Sequence, residues 1–509
     1  MKPTVMDTVQ VEHKNPLKGF LSGSLFSAVG MILGGILTVA AGVAFARWLG
    51  PDGFGVYSIA LIILALAGGI GTLGLDNSLA RFAAYYLGSG ETSRIRGLLG
   101  YGFLRVLVFS SILALGLFVA LQSRLFDRTR LSPLAPHSLV LLIAIPVYAL
   151  QLTLFQSILG LQRVKARVIL EKVIQPLCRL AVPFALVLWI EDPLPAALSG
   201  LVVSALVMDV ASALLLRSKV ARFPRSGPIK SSEKKQWRTY ALPFVFYSLQ
   251  NFIWAGMGLD VFLVGVLLSV HAAGVYSAAF RLTPILALAR GAMDYSFGPR
   301  AGVLFGQSNL KAIGSLYRTT SSLALAWTLP AALLLAVFSR PVMRAFFGSA
   351  YEVGGSALSL LVLGFVVDSA TGCNTTLLSM AGRSGYVLLN GVLGGVTLIS
   401  LCSKLIPRWG IAGAAFATMS SITVTNTLAT IEIWRMYRLQ PFSRVALKLL
   451  TAGIAVAILM VFWRNLVLPL LWPGLIGLAA SAGVALLAYF GLLRAITPNF
   501  RALYLGEAE

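Results

Sequence analysis

The feature that most constrains this chain is a succession of long apolar segments that carry almost no charge. The first runs from Gly19 to Ala46, 28 positions without a charged residue. About 20 apolar residues in a helix cross the hydrocarbon core of a bilayer, so a segment of this length can cross it at a tilt. It is also too long for the apolar region of a signal peptide. The sequence therefore predicts a membrane-spanning helix here.

Thirteen similar segments follow, which gives an all-α polytopic membrane protein of about 14 transmembrane helices. They lie at 53–80, 97–122, 135–161, 169–190, 194–216, 240–267, 273–297, 313–338, 353–381, 385–406, 411–434, 446–463 and 470–493. The chain is 58% hydrophobic and only 12% charged, whereas soluble proteins carry about 25% charged residues. A soluble enzyme of several domains and a disordered chain are therefore both excluded.

The net charge of +23 would suggest a nucleic-acid partner in a soluble protein. In this chain the cations gather in alternate loops, with about a threefold excess on the side that holds both termini. Such a bias is typical of cytoplasmic loops, so we expect both termini in the cytoplasm and no nucleic-acid partner. The three cysteines and three histidines show no metal-ligand spacing, and we expect neither a metal nor another cofactor.

An internal repeat connects the two halves of the chain. Residues 49–58 (LGPDGFGVYS) align with residues 268–277 (LSVHAAGVYS) at an offset of 219. Two further pairs share almost this offset: Arg81 with Arg300, and Arg163 with Arg383. Anchors on separate helices at nearly one offset predict two copies of a six-helix unit. An even number of helices in each copy makes the repeats parallel, an arrangement found in alternating-access transporters.

The repeat and the charge pattern predict the organisation of the chain. We expect an N-terminal six-helix lobe at 1–216, a basic cytoplasmic linker at 217–238 and a second six-helix lobe at 239–440. The linker holds eight Lys and Arg residues. An extra C-terminal helix pair and a short cytoplasmic tail occupy 441–509.

Three segments resemble the signatures of a known family. Residues 47–57 (RWLGPDGFGVY) resemble the first-loop signature of bacterial polysaccharide transporters, the O-antigen and exopolysaccharide flippases. Residues 378–383 (LSMAGR) and 406–415 (IPRWGIAGAA) are similar to their second-half signature. This family belongs to the multidrug/oligosaccharidyl-lipid/polysaccharide (MOP) exporter superfamily. The resemblance implies two six-helix lobes around a central cavity, and transport without catalysis.

The resemblance also implies the cargo and its surroundings. Members of the family move undecaprenyl-pyrophosphate-linked oligosaccharides from the inner to the outer leaflet of the bacterial cytoplasmic membrane. The implied partners are this lipid-linked oligosaccharide, membrane lipid, a polysaccharide polymerase and chain-length proteins. One alternative is a cation-coupled multidrug extruder of the same superfamily, which typically has twelve helices. A membrane polymerase or glycosyltransferase would need catalytic groups in a large external loop. The longest external loops predicted for this chain hold about a dozen residues, which disfavours this alternative.

Charged residues inside apolar spans are costly and usually face a cavity or a partner. Arginine suits a pyrophosphate because its planar guanidinium can contact phosphate oxygens bidentately. Residues 276–282 resemble the start of the eighth helix of the lipid II flippase, which implies that Arg281 faces the cavity. On an ideal helix Arg290 points about 180° away from Arg281 unless Pro284 kinks the segment. We therefore favour an ion pair between Arg290 and Asp294 over a cavity position, while keeping Arg290 as a substrate-binding candidate.

A second set of candidates forms a stripe on the fifth predicted helix. Its members recur every four residues: Arg163, Arg167, Glu171, Gln175 and Arg179. Each step of four residues rotates by about 40°, so the stripe winds slowly from the cytoplasmic end inward. Arg163 and Arg167 fit ordinary cytoplasmic anchors better than cavity residues. Glu171 and Arg179 lie deeper, where a cavity wall and a structural role both remain open.

The buried aspartates complete the candidate set. Asp260 can pair with Arg281 on the next helix or carry a proton, and we favour the pair. Asp260 is therefore a candidate both for substrate binding and for cation coupling, and Asp76 is a second candidate for cation coupling. Asp209 and Asp368 are weaker candidates, since each is expected to satisfy a local amide or hydroxyl at a helix interface.

The predicted orientation can be tested with reporter fusions. A reporter fused after Lys230 should report the cytoplasm, because the linker is the most basic loop. A reporter fused at Asp127 should report the outside. Alkaline phosphatase and green fluorescent protein at each site give opposite readouts on the two sides. If both reporters gave the readout of one side of the membrane, the number of helices between the two sites would be even. The predicted orientation would then be wrong.

Overall fold

The computed structural model describes residues 16–123, 129–224, 231–253, 258–467 and most of 480–491, and in these ranges the chain is helical without strands. The helices are α1 (Pro16–Gly71), α2 (Leu75–Gly88), α3 (Ser93–Leu121), α4 (Ser138–Gly160), α5 (Val164–Val168), α6 (Gln175–Leu186), α7 (Pro193–Val220), α8 (Ser231–Ile253), α9 (Leu259–Leu267), α10 (Val270–Phe280), α11 (Pro284–Gly306), α12 (Leu310–Val337), α13 (Ser339–Phe347), α14 (Gly355–Thr371), α15 (Asn374–Met380), α16 (Ser384–Trp409), α17 (Ile411–Tyr437) and α18 (Arg444–Phe462).

Nine helical segments in the described ranges are long and apolar enough to cross a membrane. The predicted class, an all-α polytopic membrane protein, is confirmed. The count of about 14 stays a prediction, since several predicted spans are interrupted helices. The last predicted span, 470–493, lies largely outside the described residues.

The interruptions occur where glycine or proline stands in an apolar segment. α1 bends at Gly50, whose φ of 64° and ψ of 176° leave the helical region, and Pro51 starts the second part. The predicted span 353–381 is split at Gly372, which has a φ of 63°. Only glycine adopts such angles without steric cost, and proline suits the first turn of a helix. The predicted span 273–297 is split directly before Pro284.

Contacts within the chain divide it into two compact units. The first unit comprises Met1–Ala41, Ile63–Ala120 and His137–Ser248, and the second comprises Gly42–Ile62, Leu121–Pro136 and Leu249–Glu509. The first unit has a buried core that includes Phe82, Phe155, Met208 and Trp237. The second has a core that includes Phe297, Tyr317, Leu377 and Ile433. The boundaries predicted from the sequence stay a prediction.

Within the second unit the two copies of the repeated motif pack against each other. A Cβ atom on Gly55 would overlap the carbonyl oxygen of Val270, and one on Gly274 would overlap that of Pro51. These two contacts are reciprocal, because Pro51 and Val270 are equivalent positions, as are Gly55 and Gly274. Glycine at both positions lets the two backbones approach closely.

Two further contacts join residues that are equivalent in the repeat. Asp52 Oδ1 lies 3.1 Å from His271 Nδ1, and the hydroxyls of Ser58 and Ser277 lie 2.8 Å apart, each pair separated by 219 residues. Equivalent residues of two copies touch only beside the axis that relates them, as in an isologous dimer interface. The motif contact therefore marks a local pseudo-two-fold axis and supports the predicted repeat.

The motif contact predicts how sensitive its glycines are. Gly274→Ala should lower the unfolding temperature, because the added methyl group overlaps a backbone carbonyl that cannot rotate away; overpacking of this kind costs about 1–3 kcal/mol. Gly55→Ala should have a similar effect because the contact is reciprocal. Tryptophan fluorescence of the purified protein during heating measures both. Gly291→Ala is the matched control, since no atom lies within 4 Å of its added methyl group. Equal unfolding temperatures for the Gly274 and Gly291 variants would contradict the close approach.

Candidate functional site

Arg281 lies in the break between α10 and α11. Two residues in or near the first copy of the repeated motif, Gly42 and Phe54, contact its side chain. The side chain is half-buried. Its Cδ passes so close to Gly42 that a Cβ there would overlap it. The guanidinium carbon lies 5.3 Å from the centroid of the Phe54 ring, within the range of a cation–π interaction. The sequence pattern did not reveal this role of Gly42 and Phe54, since both fit ordinary helix packing.

Asp260 is buried in the first turn of α9 and is held by neutral donors. Its Oδ2 accepts from the hydroxyls of Tyr276 at 2.7 Å and Thr418 at 3.0 Å, and its Oδ1 accepts from the backbone N–H of Val261 at 2.9 Å. In the part of the chain that the structure describes, the favoured pair between Asp260 and Arg281 is not formed. The hydroxyls of α10 and α17 satisfy the carboxylate instead, because they converge on it in the packed second unit.

Arg290 joins a buried network with two carboxylates. The predicted ion pair is present, with Asp294 Oδ2 at 3.4 Å from both Nε and Nη2 of Arg290. Arg290 Nη1 also donates to Asp368 Oδ1. The Asn426 amide donates to the same Asp368 oxygen at 3.1 Å, as expected for that aspartate, and the hydroxyl of Thr376 donates to Asp294 at 2.8 Å. Two carboxylates against one guanidinium leave the network with a formal charge of −1.

This network surrounds the interruption between α14 and α15. A Cβ on Gly372 would overlap the hydroxyl of Ser321, so the break is packed tightly against α12. The Tyr317 hydroxyl donates to the carbonyl oxygen of Thr371 at 3.0 Å, at the end of α14. The Asn374 amide, at the start of α15, donates to Asn426 Oδ1 at 2.9 Å. Discontinuous helices with polar side chains at the break are a frequent form of ion site in transporters.

In the first unit, the residues of the predicted stripe form part of a connected polar row. Arg167 Nε donates to Glu171 at 2.9 Å and Arg167 Nη1 to the Gln156 oxygen at 3.2 Å. Lys172 donates to the other oxygen of Glu171 at 2.7 Å. Arg163 is exposed at the start of α5, which agrees with a cytoplasmic anchor.

The row continues inward through Gln175. In the orientation that satisfies both of its amide atoms, Gln175 accepts from Arg179 Nη2 at 2.8 Å and donates to the carbonyl oxygen of Glu171 at 3.2 Å. The Gln151 amide lies 3.0 Å from Gln175. The Arg179 guanidinium carbon lies 5.9 Å from the centroid of the Tyr148 ring.

A π-helical turn at Ile169–Ile174 alters the geometry of this row. A π turn contains more residues than an α turn, so it rotates the chain by less per residue. The slow winding predicted for residues spaced by four on an ideal α-helix is therefore partly cancelled in this segment. Glu171 lies within the turn, between Arg167 and Gln175. Such turns are frequent at functional sites.

Asp76 and Asp209 differ in how they are satisfied. Asp76 lies in the first turn of α2, after the break at residues 72–74, and accepts from the hydroxyl of Thr72 and the amide of Asn77, both at 3.2 Å. Neither oxygen of the buried Asp209 has a hydrogen-bond partner among the residues that the structure describes. The expectation that Asp209 satisfies a local amide or hydroxyl is therefore wrong.

Several buried polar residues of these sites were missed by a search for charges alone. They are neutral amides and hydroxyls inside apolar spans: Gln151, Tyr276, Asn374, Thr418 and Asn426. An amide in a membrane span needs a partner almost as much as a charge does. A count of amides within the predicted spans would have found three of them.

A model of the polysaccharide biosynthesis protein family matches residues 20–289, just over half of the chain. The chain belongs to this family. A Shigella flexneri protein named as an O-antigen transporter is 24% identical to this family member over 414 residues, 78% of this chain and 93% of its own length. A Haloferax volcanii protein named as a flippase of low-salt glycan biosynthesis is 24% identical over 243 residues, 47% of this chain and 51% of its own length.

Solved structures show the same fold. A structure of the lipid II flippase MurJ in an inward closed conformation is similar to this family member with a TM-score of 0.68 and 13% identity, over 94% of this chain and 99% of that one. An inward-facing multidrug resistance transporter of the MATE family is similar to this chain with a TM-score of 0.64 and 14% identity. The match covers 82% of this chain and 98% of the transporter. The fold is the one that these two transporters share.

The charge balance around Arg290 predicts a ranking of two variants. Arg290→Gln leaves the buried Asp368 and the half-buried Asp294 without their cation, and breaking a buried pair costs roughly 3–5 kcal/mol. Asp368→Asn still leaves Arg290 paired with Asp294, so it should cost less. Thermal unfolding of both purified variants measures the difference. A lower unfolding temperature for Asp368→Asn than for Arg290→Gln would contradict the balance described here.

Proposed function

We propose that this protein is a flippase that moves an undecaprenyl-pyrophosphate-linked oligosaccharide repeat unit from the inner to the outer leaflet of the bacterial cytoplasmic membrane. The observation that carries the proposal is the family match together with a relative, named as an O-antigen transporter, that aligns over nearly its whole length. The fold shared with a lipid II flippase supports it. The protein acts as a transporter and forms no covalent intermediate with its cargo.

Arg281 is the proposed pyrophosphate ligand. Its side chain is half-buried at a helix break, where contact with little water strengthens a charge-assisted hydrogen bond. Gly42 and Phe54 hold the stem and the guanidinium from one side. This support leaves fewer side-chain conformations to be lost on binding, so the planar guanidinium is prepared for bidentate contact with phosphate.

The polar row of the first unit is proposed to contact the sugars. Sugars offer many hydroxyls, each of which donates and accepts, so an alternation of cationic donors and carboxylate or amide acceptors fits them. Glu171 and Arg179 supply one acceptor and one donor of this row. Arg290 is a weaker candidate for substrate contact, because Asp294 and Asp368 already neutralise it.

The driving force is proposed to come from the membrane potential, with cation coupling as a second contribution. An inside-negative potential favours outward movement of an anion by about 2.3 kcal/mol per charge per 100 mV. Asp260 and Asp76 remain the proposed residues for cation coupling, since both are carboxylates whose donors among the described residues are neutral. We further propose that both termini are cytoplasmic and that a polymerase and chain-length proteins receive the exported unit.

A cation-coupled multidrug extruder is the second candidate function. The similarity to the MATE-family structure and the acidic network at the break of α14 and α15 favour it. The family match and the relative named as an O-antigen transporter favour the flippase.

The proposed role of Arg281 is testable in cells that depend on this protein for surface glycan. Arg281→Ala should abolish glycan display, because the pyrophosphate loses its bidentate ligand. Arg281→Lys should restore only part of it, since an ammonium cannot make that contact. Immunoblotting of surface glycan, normalised to the amount of folded protein in the membrane, measures both. Arg318→Ala, an exposed cation on α12, is the matched control and should display glycan normally. Normal display by Arg281→Ala would remove Arg281 from the proposed site.

A further inference from the structure

A cavity of about 1070 Å³ lies within the first unit, between α3, α4 and α7. Its walls are almost wholly apolar and include Phe103, Leu107, Ile143, Leu206 and Val210. Four of these side chains, Leu107, Ile143, Leu206 and Val210, are between 37% and 58% exposed. In a membrane, exposed apolar side chains at this position face acyl chains, so the cavity is a groove that opens sideways to the lipid.

One buried carboxylate lines this groove. Asp209 is only 6% exposed, and within the described part of the chain neither of its oxygens has a hydrogen-bond partner. The neighbouring Ser212 hydroxyl, also buried, has none either. A buried carboxylate without a cation or a donor is among the most costly groups in an apolar environment. Asp209 lines the groove, so a rotation of its covered carboxyl group toward the groove would let a ligand supply the missing donor.

The other charged residue that lines the groove does not neutralise Asp209. Arg217 lies eight residues further along α7, about 12 Å at the helical rise. It is exposed, toward the end of α7 that leads into the basic linker. The groove therefore presents an ionisable carboxyl group in its apolar part and a positive charge at one end.

We propose that this groove binds a lipophilic amine, an amphiphile with one protonated amine and an aliphatic or aromatic body. The amine donates to Asp209, and the body packs against the apolar walls. Small-molecule sites are typically apolar cavities of about 300–1,000 Å³ with one or two polar groups that orient the ligand, which describes this groove. Entry is sideways from the bilayer, where such amines concentrate.

Other occupants fit the groove less well. An acyl or polyprenyl chain fills the apolar part but offers no donor, so the carboxylate stays unsatisfied. An anionic amphiphile would place like charges together at Asp209. The site is separate from the proposed pyrophosphate ligand Arg281, and its occupation does not depend on glycan transport.

Equilibrium binding of radiolabelled dimethyldodecylamine to the full-length protein in phosphatidylcholine nanodiscs tests the proposal. Wild type should bind about one equivalent in a saturable manner above the level of empty nanodiscs. Asp209→Asn, which keeps the shape of the side chain, should bind at least about tenfold more weakly, because the charge-assisted hydrogen bond is lost. Asp192→Asn, at the start of the same helix, is the matched control and should bind like wild type.

Two further measurements distinguish recognition of the charged amine from nonspecific hydrophobic adsorption. 1-Dodecanol has the same chain without the amine, and it should compete at least about tenfold more weakly than the unlabelled amine. Ala213→Phe, one turn from Asp209 on the groove side, should remove saturable binding by filling the groove while Asp209 stays in place. Equal binding by wild type and Asp209→Asn, equal competition by dodecanol, or undiminished binding by Ala213→Phe would each overturn the proposal.

Discussion

The close approach of two glycine-bearing segments is the constraint on which much of the second unit depends. Gly55 and Gly274 each face a backbone carbonyl of the other copy, so neither position can carry a side chain. This contact brings residues 42–62 of the first copy into the second unit. It also sets the surroundings of Arg281, because Gly42 and Phe54 belong to the same segment. A backbone-to-backbone contact therefore helps to determine where the long and flexible side chain of Arg281 lies.

The class of fold and the repeat could be predicted from the sequence because both rest on local or periodic properties. Apolar length predicts spans, and an offset shared by several motifs predicts two copies. The break before Pro284 was also predictable, since proline removes a helical hydrogen bond. The partners of buried charges were not predictable in the same way. Arg290 and Asp294 are one helical turn apart and were found, whereas Asp260 meets Thr418 from a helix 158 residues away. Such pairs depend on how helices pack, which periodicity does not report.

The neutral partners matter as much as the charges. Asp260, Asp368 and Glu171 all receive hydrogen bonds from hydroxyl, amide or backbone groups or from nearby cations. A membrane span offers no water to replace a missing partner, so each buried charge recruits a set of polar residues around it. Asp209 is the exception within the described residues of its helix bundle. The other carboxylates named here are satisfied from within the protein, which is why the proposed amine site is placed at Asp209.

The two copies of the repeat share a fold but differ in their polar residues and in the charge that those residues carry. The repeat offset places Ile62 opposite Arg281 and Ala41 opposite Asp260, so neither charge is required by the architecture. The polar row of the first unit holds Arg167, Lys172 and Arg179 against Glu171, a formal charge of +2. The network around Arg290 in the second unit has a formal charge of −1. A positive row attracts anionic groups and a negative network attracts cationic ones. The duplication therefore fixes the backbone contact between the two copies, while each copy carries its own set of polar residues with its own net charge.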